Sequence, residues 1–232
     1  PGKKQLSFIK ENNFRTRSSL LINFQDTIIL IDTSPDLRQQ LYLAKCTNID
    51  AVLFTHIHSD HTSGLPDMRA ISLINEKVIP AYMPVIMKEK ILSHYKYIFK
   101  GDKDYSPFMK ICDIQKKFYV NDIEIETFKH NHGSIDVQTY KIGKFAYSTD
   151  LKKFYDKDID KLKNLDLWVV GLLKNEPHHS HAGFEEIMDY VKYINPKKTI
   201  LTHMTALLDE KELILKCPNN VLPAYDGMVI DI

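Results

Sequence analysis

The sequence has few cysteines, and none of them belongs to a CxxC pair. Cys46, Cys112 and Cys217 are odd in number and widely separated along the 232 residues. This spacing argues against a disulfide framework and against a zinc site built from thiolates. It is typical of a protein in a reducing compartment, so we expect a cytoplasmic location.

The sequence also lacks long apolar runs and an excess of charge of one sign. No apolar segment approaches the roughly 18 to 20 residues that a membrane span needs. Residues 1–5 are polar and carry no signal-peptide core. The net charge is +1, which gives no electrostatic reason to expect nucleic acid or an anionic membrane as the main partner.

The apolar pattern predicts a single domain over residues 1–232 that mixes strands and helices. The predicted strands cover residues 19–24, 27–32, 51–54, 118–128, 137–142, 145–148, 167–170 and 199–202. The predicted helices cover the residues after Ser34 and residues 85–99, 184–194 and 209–216. Two strand-rich halves favour an α+β fold in which titratable residues gather at strand ends.

Four residues of metal-ligand type fall within six positions, directly after the apolar strand 51–54. His56 and His58 are two apart, so an extended backbone points both rings to one side. Asp60 and His61 follow after a tight turn. A lone histidine is more often an ordinary polar residue, but this density predicts a metal site. Nitrogen and carboxylate ligands without cysteine suit zinc, manganese or iron.

The motif HxHxDH after a hydrophobic strand resembles the signature of the metallo-β-lactamase superfamily. Further features follow in the superfamily's order: Asp32 ending an early strand, His132, Asp150 in YSTD, and His203 ending a late strand. The resemblance implies an α+β fold, specifically an αββα four-layer sandwich. It also implies that Asp32 orients the loop that carries the ligands without binding metal itself.

The resemblance further implies two divalent metal ions, most readily zinc or manganese. The implied ligands are His56, His58 and His132 on one ion, Asp60, His61 and His203 on the other, and Asp150 between them. Two such ions about 3.5 to 4 Å apart can hold a water as a bridging hydroxide and polarise the bond under attack. The sequence has no GxSxG elbow, which is consistent with that route.

Two of these assignments have competitors nearby. His130 competes with His132, which we prefer by resemblance, because the family's histidine commonly follows Asn or Asp and precedes a small residue, as His132 does. His130 would then be an ordinary exposed histidine at a strand end. Asp156 and Asp158 compete with Asp150, which alone directly ends a strand. We expect these two competitors to be solvated charges.

Within the superfamily, the sequence most resembles the phosphoribosyl cyclic phosphodiesterase-like group, with ribonuclease Z as a relative. The resemblance rests on HxHxDH and on the order of shorter stretches at residues 15–22, 61–69, 177–181 and 223–228. It implies that Asp60 and His181 are catalytic, with His181 contacting phosphate as a general acid.

The remaining basic residues in these stretches leave alternatives open. His181 could instead be only a cap of the helix that follows it. His178 and His179 are weaker candidates for a catalytic role. Arg15, Arg17 and Arg69 could bind substrate phosphate or pair with acidic residues, because a guanidinium group suits a carboxylate as well as a phosphate.

The start of the chain departs from the family pattern. Relatives begin with a strand and a Gly/Ser-rich loop beside the site, and residues 1–13 contain neither. This indicates a truncated chain or a lost substrate loop. A first residue of Pro in place of Met also indicates processing or truncation.

The sequence therefore predicts a metal-dependent hydrolase of a small or cyclic phosphodiester. One alternative is a ribonuclease Z-like enzyme for tRNA 3′ processing, which the near-neutral charge and the lack of a Gly/Pro-rich arm disfavour. Another is a catalytically silent metal-binding protein, although all seven implied ligands are present. Homodimers are common in this family, so by resemblance a homodimer is possible here, although the sequence does not give the oligomeric state.

Overall fold

The computed structural model describes residues 13–232. They form two compact units, one of residues 17–125 and one of residues 126–232 with residues 13–16. We call these the N-terminal unit and the C-terminal unit. The expected departure from the family pattern falls on residues 1–13, of which all but Asn13 lie outside the described residues. No helix among the described residues is long and apolar enough to cross a membrane.

The N-terminal unit is built on a five-stranded sheet with the order β1-β2-β3-β4-β5. Its strands are β1 (Leu20–Phe24), β2 (Thr27–Ile31), β3 (Ala51–Leu53), β4 (Ile79–Met83) and β5 (Met109–Asp113). β1 and β2, both predicted as strands, form an antiparallel hairpin, and β2 to β5 are parallel. A further strand, β6 (Lys117–Val120), follows them.

Helices connect the parallel strands of this unit. They are α1 (Leu37–Leu43), α2 (Ser59–Thr62), α3 (Met68–Ile74) and α4 (Val85–Lys100), with a 3₁₀ turn at Leu65–Asp67. α4 matches the helix predicted from apolar spacing and buries Met87, Ile91 and Ile98. These side chains join a core cluster that includes Val52 and Phe54. The strand that precedes the histidine motif is therefore anchored in this core.

The C-terminal unit contains most of a second sheet, with the order β10-β7-β8-β9-β11-β12-β13 and with β6 paired to β7. Its strands are β7 (Ile123–His132), β8 (Ile135–Ile142), β9 (Phe145–Ser148), β10 (Lys153–Phe154), β11 (Leu167–Gly171), β12 (Lys198–Thr202) and β13 (Val221–Pro223). β7, β8, β9 and β10 pair antiparallel, whereas β9, β11, β12 and β13 are parallel neighbours.

The helices of the C-terminal unit are α5 (Asp156–Ile159), α6 (Phe184–Ile194) and α7 (Glu210–Lys216), with a 3₁₀ turn at Asp160–Leu162. α6 confirms the helix predicted over the same residues. It buries four apolar side chains on one face: Phe184, Ile187, Val191 and Ile194. They pack in a core cluster with Trp168 and Val170 of β11, so the loop before α6 is fixed to the sheet.

Predicted functional residues lie at the carboxyl ends of parallel strands in both units. Asp32 follows β2 and His56 comes soon after β3, while Asp150 comes soon after β9 and His203 follows β12. Because the carboxyl ends of parallel strands share one edge of their sheet, each sheet gathers its own polar side chains at that edge. The prediction that titratable residues gather at strand ends is confirmed within each unit.

Candidate metal centre

In the N-terminal unit, the polar residues are organised around Asp32. Its carboxylate accepts hydrogen bonds from the Thr55 backbone N–H and hydroxyl, both at 2.8 Å. His61 Nδ1 lies 2.7 Å from the same carboxylate. Asp32, Thr55 and His61 are all 0% exposed. We call Asp32, Thr55, His56, His58, Asp60 and His61 the N-terminal cluster.

This arrangement fixes the proton positions on two histidine rings. A carboxylate can only accept, so His61 carries its proton on Nδ1 and presents a lone pair at Nε2. The Thr55 hydroxyl donates to Asp32, so it accepts from His56 Nδ1, which is 3.0 Å away. His56 therefore also presents its lone pair at Nε2. A metal-binding histidine is usually oriented in this way, with one ring nitrogen donating to a fixed acceptor and the other facing the metal.

His58 and Asp60 complete the cluster at its more exposed side. His58 Nδ1 lies 2.9 Å from His56 Nε2, and Asp60 Oδ2 lies 3.4 Å from His61 Nε2. The backbone turns here because α2 begins at Ser59, directly after His58. The structure thus brings together all four residues of the predicted HxHxDH motif with Asp32.

Gly64 allows this loop to pack against the strand-end residues behind it. A Cβ on Gly64 would lie 2.1 Å from the backbone oxygen of Ser34 and 2.8 Å from the Leu37 Cβ. The Gly64 N–H also donates to the Thr33 oxygen at 3.0 Å. No side chain fits this position, so glycine is required for the close approach.

In the C-terminal unit, three histidines converge on one carboxylate oxygen, Asp150 Oδ1. The Nε2 atoms lie at 3.0 Å for His181, 3.5 Å for His203 and 3.8 Å for His132. Ligand atoms of His132, Asp150 and His181 all lie within 4.8 Å of one another. We call His132, Asp150, His181 and His203 the C-terminal cluster.

Two members of this cluster, Asp150 and His203, have a strained backbone conformation that sets the direction of their side chains. Asp150 has a φ of 52° and His203 a φ of 58°, and Asp32 of the other unit has a φ of 61°. L residues seldom adopt this left-handed conformation, and it persists at functional sites when the surroundings hold it. Each of these residues comes within two positions of a strand end, so the left-handed turn redirects the side chain away from the strand.

The loop before α6 orients His132 and His181 together. His132 Nδ1 donates to the Ser180 backbone oxygen at 2.7 Å, which leaves Nε2 as the lone pair that faces Asp150. The Ser180 hydroxyl lies 3.0 Å from His181 Nδ1 and 3.1 Å from His178 Nδ1. Ser180 therefore contacts both a predicted ligand and the predicted general acid, a role that the sequence did not reveal.

His181 is not the cap of α6, so that alternative is wrong. The N-cap of α6 is Gly183, whose backbone N–H donates to the Glu186 carboxylate at 2.9 Å. His181 comes two residues earlier and turns its ring towards Asp150. His178, a weaker candidate, contacts the Ser180 hydroxyl, and its ring lies 3.9 Å from that of His179.

The expectation of an exposed His130 is wrong. His130 is 0% exposed, and burial lowers its pKa to about 4. Buried positions on β7 switch from odd to even numbers at Thr127 and Phe128, so His130 and His132 both lie on a buried face. The preference for His132 in the cluster does not depend on this error.

The expectation for the competing aspartates is also partly wrong. Asp156 is exposed as expected, but Asp158 is 8% exposed. Its carboxylate lies 2.7 Å from Lys161 Nζ, an i,i+3 ion pair. A cationic partner within reach makes this burial tolerable.

Phosphate binding by the three arginines stays a prediction, and each of them has a contact within the chain. The Arg15 guanidinium donates to the Leu208 oxygen at 3.2 Å and to Asn13 Oδ1 at 3.3 Å. The Arg69 guanidinium lies over the Tyr105 ring, 5.0 Å from its centre. The Arg17 backbone N–H donates to Asp36 at 2.8 Å.

The donor set of both clusters fits divalent metal ions. Hydrogen bonds to fixed acceptors orient the histidine lone pairs, and carboxylates lie next to them. All three cysteines lie elsewhere and form no disulfide bond.

The model of the Beta-lactamase superfamily domain matches residues 27–204. The chain belongs to the metallo-β-lactamase superfamily. The matched residues include every predicted metal ligand.

Two known relatives match this chain, one over most of its length and one over a short stretch. An octanoyltransferase of Porphyromonas gingivalis is 35% identical over 221 residues, which is 92% of this chain and 44% of the relative. A ribonuclease Z of Clostridium kluyveri is 36% identical over 56 residues, which is 23% of this chain and 18% of the relative. The matched stretches thus cover less than half the length of each relative.

Solved structures confirm the predicted α+β fold of metallo-β-lactamase type. A diphosphatase from the PhnP family has a TM-score of 0.91 at 24% identity, covering 98% of this chain and 89% of that one. Human tRNase Z, short form, has a TM-score of 0.71 at 17% identity and covers 93% and 92%. Zn(2+)-bound PqqB from Methylobacterium extorquens has a TM-score of 0.72 at 15% identity and covers 94% and 88%.

Proposed function

We propose that this chain is a metal-dependent phosphodiesterase that hydrolyses a small or cyclic phosphodiester. The observation that carries the proposal is the aiming of the histidine rings. His56, His61 and His132 each give one nitrogen to a fixed acceptor and keep a lone pair on the other. Structural histidines need no such common orientation, whereas metal ligands do.

The proposed ligands are those predicted from the sequence, and they hold two divalent ions, zinc or manganese. They are His56, His58, Asp60, His61, His132, Asp150 and His203. Bound metal ions of this kind activate water and polarise the phosphoryl group. No cysteine is among the ligands, which suits both metals.

Residues of this chain orient the ligands, and one of them supplies the proton for the leaving oxygen. Asp32 holds His61 and, through Thr55, His56. Ser180 holds His132 by its oxygen and contacts His181 by its hydroxyl. We assign His181 Nε2, which lies 3.0 Å from Asp150 Oδ1, the role of contacting the phosphate and giving a proton to the leaving oxygen.

Hydrolysis of a small phosphodiester is favoured over RNA processing. The diphosphatase of the PhnP family has the higher TM-score, 0.91 against 0.71 for tRNase Z. The net charge of +1 gives no broad electrostatic attraction to RNA. We therefore propose a small molecule as substrate and a ribonuclease Z-like activity as the alternative.

The octanoyltransferase of Porphyromonas gingivalis contains a stretch 35% identical to 92% of this chain, and that stretch is 44% of the relative. Octanoyl transfer is the activity named for the whole relative, so it does not by itself favour an acyl substrate for this chain. Because an activated water that attacks phosphorus can also attack an acyl carbonyl, an octanoyl thioester serves as a comparison substrate.

A parallel turnover assay separates these substrates. The zinc-loaded or manganese-loaded chain is given a ribose cyclic phosphate, an aryl phosphodiester, a precursor tRNA and an octanoyl thioester. We expect turnover of the first two. Turnover of the tRNA or the thioester alone would overturn the phosphodiesterase proposal in favour of the corresponding alternative.

The Asp60→Ala variant links any turnover to the proposed site. Removing this carboxylate should lower kcat at least about 100-fold, while the melting temperature stays close to that of the wild type because the Asp60 side chain is partly exposed. Asp67→Ala, a change nearby in the 3₁₀ turn, is the matched control and should leave turnover unchanged. Equal turnover of Asp60→Ala and the wild type would contradict the proposal.

A further inference from the structure

A buried chain of hydrogen bonds runs behind Asp150 in the C-terminal unit. The Trp168 Nε1–H donates to the Ser148 hydroxyl at 3.2 Å. The Ser148 and Thr139 hydroxyl oxygens are 3.1 Å apart, and Thr139 Oγ1 is 2.9 Å from His130 Nδ1. All four residues are 0% exposed, so water does not complete this chain from outside.

The contacts of its two nitrogens set the position of the His130 ring. Nε2 lies 2.8 Å from the Thr149 backbone oxygen, which can only accept, so Nε2 carries a proton and donates to it. Nδ1 lies 2.9 Å from the Thr139 hydroxyl. Both nitrogens of His130 are occupied, so His130 is not available as a metal ligand.

This row of hydrogen bonds ends at Thr149, the residue directly before Asp150. His130 holds the Thr149 oxygen, and the Thr149 hydroxyl donates to Asp150 Oδ2 at 2.7 Å. Asp150 itself has the strained φ of 52°. Below it, a Cβ on Gly171 would lie 2.8 Å from the Asp150 nitrogen. The backbone at this point is thus fixed by close packing on one side and by His130 on the other.

We propose that His130 is a positioning residue that holds Thr149, and through Thr149 the Asp150 carboxylate, in the orientation for metal binding. This inference rests on the proposed function, because that function assigns Asp150 to the metal ions. His130 acts without touching metal or substrate. Its removal should weaken the metal site while leaving every ligand in the sequence.

Zinc affinity, measured by competition with a chromogenic chelator, tests this role. His130→Phe keeps a ring beside Phe154 but removes the donor to Thr149. His130→Gln restores an N–H near that position. Loss of a residue that supports a ligand typically weakens metal binding about 10- to 100-fold, so we expect that loss in His130→Phe and most of the affinity back in His130→Gln.

Val221→Ala controls for a general loss of stability. Val221 is 1% exposed and belongs to the core cluster of the same unit, but it is not part of the His130 chain. We expect it to lower the melting temperature and leave zinc affinity within about threefold of the wild type. Equal affinity losses in Val221→Ala and His130→Phe would reduce His130 to a structural role and overturn the inference.

Other outcomes are equally decisive. Should His130→Phe fail to fold, Thr149→Val removes the next link, and unchanged zinc affinity in that variant would overturn the inference. A wild-type chain that binds no zinc or manganese would overturn the proposed function as well. Normal wild-type binding with an unaffected His130→Phe would overturn the inference about His130 alone.

Discussion

The two clusters of predicted ligands are held in place by different means. In the N-terminal cluster, one buried carboxylate, Asp32, accepts three hydrogen bonds that orient Thr55 and His61. In the C-terminal cluster, several groups share this work: the Ser180 backbone oxygen accepts from His132, the Thr149 hydroxyl donates to Asp150, and the Ser180 hydroxyl contacts His181. The first cluster depends on one side chain, and the second depends on several contacts from two loops.

This difference predicts different sensitivities to mutation. A side-chain acceptor can be deleted by a single substitution, so the N-terminal cluster has one point of failure. In the C-terminal cluster, a substitution cannot delete the Ser180 backbone oxygen, and each of the two hydroxyls contacts only one member of the cluster. We therefore expect the C-terminal cluster to lose order in smaller steps.

The largest effect on stability is expected for Asp32→Ala. The change leaves three buried donors, on Thr55 and His61, without their acceptor, which should lower the free energy of unfolding by about 3 kcal/mol. Urea denaturation of the metal-free protein measures this loss. Asp26→Ala, at an exposed hairpin turn, is the control and should change stability by less than about 0.5 kcal/mol. Equal losses in both variants would show that Asp32 is not the organising residue.

The same contrast explains what the sequence could predict. HxHxDH is contiguous and follows a clear strand, so its local pattern carried the signal. Asp32, Asp150 and His203 were recognisable because each comes at or soon after a strand end. Ser180 has no such signal, because its contact with His132 joins residues 48 positions apart.

His130 shows a second reason for failure. Its burial depends on the switch of buried positions at Thr127 and Phe128, and residue type alone suggested exposure. Thr55 and Thr149 were also missed, although each directly precedes a predicted ligand and donates to an aspartate. The single-domain expectation stays a prediction.

A smaller effect is expected when the loop of the C-terminal cluster is displaced by Gly133→Ala. Gly133 has a φ of 71°, and an added Cβ would lie 3.0 Å from the Ser180 Cβ. Gly143→Ala is a matched control, because Gly143 has a φ of 55° and nothing within 4 Å. Both changes should cost about 1 kcal/mol of backbone strain.

Only Gly133→Ala should also weaken metal binding, because only this Cβ presses on the loop that holds His132. Isothermal titration with zinc, beside thermal denaturation, separates strain from displacement. The same zinc affinity in both variants would show that the position of Ser180 does not matter for the C-terminal cluster.

The smallest effect is expected for Asp50→Asn, a carboxylate of the N-terminal unit outside the cluster. Asp50 accepts from the Ile28 N–H at 2.8 Å and from Lys77 Nζ at 2.6 Å. Burial raises the pKa of Asp50, but the hydrogen bonds from Lys77 and Ile28 outweigh it and hold the pKa below its usual value. A lowered carboxylate pKa stabilises the fold above the unfolded pKa of about 3.9, and this contribution is lost as the pH falls below it.

Asp50→Asn should therefore cost about 0.5 kcal/mol at pH 7, and the difference from the wild type should shrink below about pH 4. Urea denaturation at both pH values measures it. A difference that grows towards acid pH would contradict the assigned cause, and a loss as large as that of Asp32→Ala would remove the contrast between buried and half-exposed carboxylates.

Metal binding by both clusters is tested most directly by elemental mass spectrometry of the full chain, purified after supplementation with zinc or manganese and dialysed against metal-free buffer. We expect about two metal ions per chain, and about one or fewer when Asp150 is changed to Ala. Less than one ion in the supplemented wild-type protein would contradict it.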